Sequence, residues 1–100
     1  MAIEGREIRS TVGVDGELTL SIERVVIPDP ADDEVVVRIE AAPINPSDLG
    51  LLVGSADLST LQKKEGTKPG LIFTVPPARL KALAGRLGQS LPVGNEGAGT

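Results

Sequence analysis

From Glu17 to Val26 the chain alternates, with Leu18, Leu20 and Ile22 on one side and Thr19, Ser21 and Glu23 on the other. A period of two marks a strand with one buried face, so this segment reads as a half-buried β-strand. Arg6 to Val14 carries a weaker version of the same pattern. Between them, Val14-Asp15-Gly16-Glu17 supplies the Asp-Gly signal of a tight hairpin, and the two strands are expected to pair antiparallel. Pro28, Asp29, Pro30, Asp32 and Asp33 then break the chain. Glu34 to Ala42 follows as an expected third strand, with Val35, Val37 and Ile39 inward and Glu34, Arg38 and Glu40 outward.

Pro43-Ile44-Asn45-Pro46-Ser47-Asp48 predicts a helix start. Asn45 suits the N-cap, Pro46 the first helical position, and Asp48 the first turn, where a carboxylate favours the helix dipole. Gly50 and Gly54 keep this helix short. Lys63 to Thr74 is polar and then turn-like, with no assigned element. A second helix is expected from Pro77 to Leu87, because Leu80, Leu83, Ala84 and Leu87 recur at helical spacing and Gly88 stops them. Gly94 to Thr100 reads as a turn leading into a strand. The chain is thus mainly β with short helices.

Composition narrows the chemistry. The 100 residues include no His, no Cys, no Tyr and no Trp, and Phe73 is the single ring. Without imidazole or thiolate there is no nitrogen or sulfur ligand for zinc, no thiolate nucleophile and no disulfide framework. Carboxylates, hydroxyls, amides, Lys and Arg remain. The core must come from 12 Leu, 10 Val and 7 Ile. A single domain is expected at this length. No apolar run approaches a membrane-spanning length, and Glu4, Arg6 and Glu7 stand where a signal peptide would be apolar. A cytoplasmic protein without a membrane partner is the expectation.

The net charge of -4 hides an asymmetry. Residues 1–50 hold four basic and eleven acidic residues, giving -7, whereas residues 51–100 hold six basic and three acidic, giving +3. The basic excess (Lys63, Lys64, Lys68, Arg79, Lys81, Arg86) has no interleaved aromatics, so a solvated basic face is favoured over nucleic-acid binding.

Three candidates for chemistry each have a plainer reading. Gly94-Asn95-Glu96-Gly97-Ala98-Gly99 is spaced G-x-x-G-x-G, not the G-x-G-x-x-G of a dinucleotide loop, and a tight turn into a close-packed strand accounts for it better. Asn45 and Asp48 are fully explained as helix-capping residues. Glu96 has no second carboxylate near it in sequence to form an acid/base pair; a satisfied buried acid, a site residue and an exposed side chain all remain open.

Two segments taken together carry a resemblance. Glu34-Val35-Val36-Val37-Arg38-Ile39-Glu40-Ala41-Ala42-Pro43-Ile44-Asn45-Pro46-Ser47-Asp48 and Leu91-Pro92-Val93-Gly94-Asn95-Glu96-Gly97-Ala98-Gly99-Thr100 resemble the start of a medium-chain dehydrogenase/reductase. The resemblance covers about Gly16 to Gly54 and Leu91 to Thr100. It implies a GroES-like, partly open β-barrel catalytic domain, incomplete at the C-terminus of this chain, with a nicotinamide-binding Rossmann domain absent. It also implies that Asn45, Asp48, Asn95 and Glu96 line the substrate and cofactor cleft. In zinc-dependent members a Cys stands at the position of Asn45 and a His at that of Asn95. The similarity is therefore to the zinc-free branch of quinone oxidoreductases and enoyl-thioester reductases. The tyrosine thought to donate a proton in enoyl reductases has Ala56 in its place.

The resemblance thus implies a zinc-independent, NAD(P)H-dependent oxidoreductase acting on a small-molecule quinone, enone or enoyl thioester. It does not identify a catalytic residue. The cofactor would be held mainly by the missing domain, so the isolated chain is expected to be inactive and to show no cofactor binding. Ser55 to Ser90 is longer than the family's connection and reads as an insertion placed to cap the cleft. A non-enzymatic reading stands beside this one: a stand-alone GroES-like binding module, or a truncated gene product. A strand and G-x-G-x-x-G after Thr100 would separate them. An incomplete barrel leaves strand edges exposed, and self-association through them is expected.

Overall fold

The computed structural model describes residues 3–66 and 69–100; Lys68, counted above in the basic excess, lies outside them. Strands β1 (Ile3–Val12) and β2 (Glu17–Ile27) form the long hairpin that the alternation predicts. Their loop is Gly13-Val14-Asp15-Gly16. Gly16 N donates to Gly13 O at 3.0 Å, and Gly13 N to Glu17 O at 2.9 Å. Gly16 has φ +83°, so the loop is closed by a left-handed residue that glycine adopts without a Cβ clash. Val75 N donates to Gly16 O at 2.7 Å, which ties the hairpin tip to the end of a third strand.

That strand comes from the segment left unassigned by its sequence. Asp57–Lys64 and Gly70–Thr74 form β4 and β5, and β5 pairs antiparallel with β2. Gly70 is needed there because a Cβ would run into the Leu20 backbone. The outer strand β4 has a shifted register between Asp57 and Gln62 and lacks strict alternation, because as an edge strand it has little to bury. Ser90–Pro92 (β6) closes the other side, against β1. The order of the five-stranded sheet is β4-β5-β2-β1-β6.

The expected third strand is largely replaced by irregular chain. Only Ile39–Ala41 (β3) is a strand, paired with Ala98–Gly99 (β7) in a separate two-stranded ribbon. Arg38 extends this pairing through Arg38 N to Thr100 O (2.7 Å) and Thr100 N to Arg38 O (3.1 Å). Val35 and Val37 upstream of β3, and Ile39 within it, are exposed rather than inward. A hydrophobic alternation does not supply a hydrogen-bonding neighbour, and the neighbour here, β7, is only two residues long.

Helix α1 (Pro46–Leu52) starts where expected. The second helix is a single α turn (α2, Pro77–Leu80) continued by a 3-10 segment over Lys81–Arg86, and Gly88, with φ +76°, ends the structure as predicted. These elements cover one end of the sheet's inner face. Val12, Leu18 and Phe73 point inward from β1, β2 and β5 and pack with Ala56 and Val75. Val53, Leu80, Leu83 and Leu87 complete the cover.

The fold is therefore mainly β with short helices, as expected, but the sheet is open and does not close on itself. Among the described residues, 55–90 supply three of the five buried apolar core residues (Ala56, Phe73, Val75) and the second neighbour of β2. These residues are thus a structural part of the sheet. Among the described residues, no helix is long and apolar enough to cross a membrane.

Candidate functional site

The β3–β7 pairing brings together segments that lie far apart in the sequence. Ala41, Ala42 and Pro43 on one side and Asn95, Glu96, Gly97 and Ala98 on the other form an open groove of about 680 Å³. Its close approach depends on glycine. A Cβ on Gly99 would stand 2.6 Å from the Arg38 carbonyl carbon and 3.0 Å from Ile39 Cα. A Cβ on Gly97 would stand 3.1 Å from Ile39 Cδ1. Gly94 turns the chain into the groove with φ +99°. The glycines of Gly94 to Gly99 thus act as a turn into a close-packed strand.

Asn95 and Glu96 are exposed and both line this groove. Exposure excludes the buried-acid reading of Glu96. Asn45 and Asp48 are not among the lining residues. Asn45 is half-buried two residues past Pro43, with φ −93° and ψ 157°, and its carbonyl receives Asp48 N at 2.9 Å. Asp48 is 7% exposed, and its Oδ2 accepts the Asn45 backbone N–H at 2.8 Å. That carboxylate closes the start of α1 and has little surface left for a ligand. Ala56, at the place of the enoyl-reductase tyrosine, is buried in the core against residues of the sheet.

One polar cluster escaped the sequence reading. Ser10 is fully buried, its Oγ donates to Leu51 O at 2.8 Å, and it accepts from Arg86 Nη2 at 3.2 Å. Arg86 Nη2 also reaches Ser10 O at 3.2 Å. Burial holds the Arg86 guanidinium below its ordinary pKa, and its Nε has no hydrogen-bond partner. The cluster fastens α1 and the 3-10 segment to β1. Its signal in the sequence was Ser10 itself, a hydroxyl at an inward position between Ile8 and Val12.

The groove's chemistry is that of one amide, one carboxylate and backbone groups. It has no cationic side chain and no helix N-terminus, so it does not fit the pyrophosphate of a dinucleotide. Among the described residues no three His, Cys, Asp or Glu converge as a metal site. No family model matches the chain.

Proposed function

We propose that this chain is the N-terminal, GroES-like portion of the catalytic domain of a zinc-independent NAD(P)H oxidoreductase that reduces a quinone, enone or enoyl thioester. The observation that carries the reading is the meeting of Ala41–Pro43 with Asn95–Ala98. The two segments that resemble the family, one leading into Asn-Pro-Ser-Asp and the other containing Gly-Asn-Glu-Gly, are built into one groove by a strand pair. In this reading Asn95 offers an amide to a neutral polar group of substrate or nicotinamide, and Glu96 sets a negative rim. Asn45 and Asp48 fix the start of α1 beside the groove. They act as positioning residues, because Asp48 is committed to the Asn45 N–H.

The dinucleotide's phosphates would be held by a domain encoded downstream of Thr100, since the groove does not fit them. Bound there, the nicotinamide would supply the hydride; the chain's own residues would orient the acceptor and shape the groove. The test is to read the coding sequence past Thr100. A strand followed by G-x-G-x-x-G within a βαβ unit is the expected result. A stop codon would leave the non-enzymatic binding module as the better account.

A further inference from the structure

Among the described residues, two apolar surfaces have no cover. The first continues the core along the sheet's inner face. Ile8, Leu20, Ile22, Leu52 and Leu71 line a depression of about 350 Å³, and Ile22 in its floor is 52% exposed. Lys63 and Lys64 border it. The second is the failed strand: Val35, Val36 and Val37 are 83%, 38% and 47% exposed. Among the described residues no turn, loop or strand hydrogen bond engages the backbone of these three valines. Asp32, Asp33 and Glu34 precede this segment and are exposed, and Glu34 Oε1 accepts from Ala31 N at 2.9 Å.

We propose that these surfaces fit each other across two copies of the chain. Val35–Val37 of one copy lies in the Ile8/Leu20/Ile22/Leu52/Leu71 depression of the other, with Asp32 and Asp33 facing Lys63 and Lys64. In an extended segment Val35 and Val37 project to the same side, which suits a shallow aliphatic floor. The charges match in sign: Asp32, Asp33 and Glu34 lead into the valines, and Lys63 and Lys64 border the depression. Each copy carries one donor segment and one acceptor surface, so two reciprocal contacts complete a closed symmetric dimer.

Strand edges are the poorer route to association. The edge strand β4 carries Lys63 and Lys64 and a register shift, and the other edge, β6, is three residues long. Both features discourage edge pairing. The self-association expected from exposed edges is thereby moved to a face. This inference does not depend on the oxidoreductase reading, and its test uses no cofactor.

The test is sedimentation velocity of the chain across a roughly hundred-fold concentration range, with circular dichroism as a fold control for every variant. The expected result is a reversible monomer–dimer equilibrium. K63E/K64E is expected to weaken it by about tenfold or more, and adding D32K/D33K is expected to restore it to within about threefold. V35D/V37D should leave a folded monomer. A monomer at every concentration would overturn the proposal, as would a charge swap that fails to restore association. A V35D/V37D variant that dimerises like the parent would do the same. Saturable binding of decanoate by a chain that stays monomeric would assign the depression to a small amphiphile instead.

Discussion

The groove exists only if β3 and β7 pair closely, and Gly99→Ala tests that dependence. A Cβ at residue 99 would meet the Arg38 carbonyl and Ile39 Cα, both backbone and neither able to rotate away. The strands must separate, which breaks the two hydrogen bonds between Arg38 and Thr100 at 2.7 and 3.1 Å. At about 0.5–1.5 kcal/mol net for each bond, the ribbon loses roughly 1–3 kcal/mol. Amide exchange at Arg38 and Thr100 should therefore accelerate by roughly 5- to 150-fold. The five buried apolar core residues belong to the other sheet and its cover, so exchange at Leu18 and Phe73 should be unchanged. Gly97→Ala is the control. Its Cβ would meet only side-chain carbons of Ile39, at 3.1 Å or more, and a rotating side chain can yield. Its effect should be smaller. Equal protection of Arg38 and Thr100 in parent and Gly99→Ala would refute the close-packed pairing and the groove built on it.

Ser10→Ala leaves Leu51 O without its donor and Arg86 Nη2 with only the Ser10 carbonyl, both at partly buried positions. A loss of about 1–3 kcal/mol is expected from urea titration, and an unchanged midpoint would contradict the role given to the cluster. Asp48→Ala removes the acceptor of the Asn45 N–H and should cost about 1–2 kcal/mol, with Asp48→Asn losing less because one oxygen acceptor remains; the comparison is made by thermal unfolding. Asp57 should titrate below its ordinary value of 3.8, held there by the Ser59 hydroxyl, then by the Ser59 N–H, with a further contribution from Arg79. A carboxyl depressed in the folded chain favours folding above pH 3.8, and that contribution fades as the pH falls through the lower folded value. In an NMR titration Ser59→Ala should move the Asp57 midpoint upward, and no movement would remove the stated cause.

What the sequence shows well is local. The alternation of Leu18, Leu20 and Ile22 assigns β2 because each residue's side follows from the pleat. Gly16 and the Asn45-Pro46 pair mark a turn and a helix start because their conformational preferences belong to single residues. What it hides depends on neighbours. Leu58 and Leu61 lie on an exposed edge strand where nothing enforces a period, so β4 carries no readable pattern. Gly70 resembles turn punctuation, yet it sits in β5 because the Leu20 backbone passes close by. Val35 and Val37 follow the pattern of a strand that finds no partner. For the candidate site, the order of the two family-like segments is legible, and the pairing that joins Ala41–Pro43 to Asn95–Ala98 is not. Asp48 illustrates the same limit: a carboxylate at a helix start looks identical in sequence whether it meets a ligand or its own backbone.

Steady-state oxidation of NAD(P)H tests the proposed oxidoreductase function most directly. The assay uses the chain extended through its downstream coding sequence, treated with a chelator, with a quinone, an enone and an enoyl thioester as acceptors. The account predicts turnover with at least one acceptor, undiminished by chelation, while the 100-residue chain alone gives none. Failure of the extended protein to oxidise NAD(P)H with any of the three, or activity that disappears on chelation and returns with zinc, would contradict it.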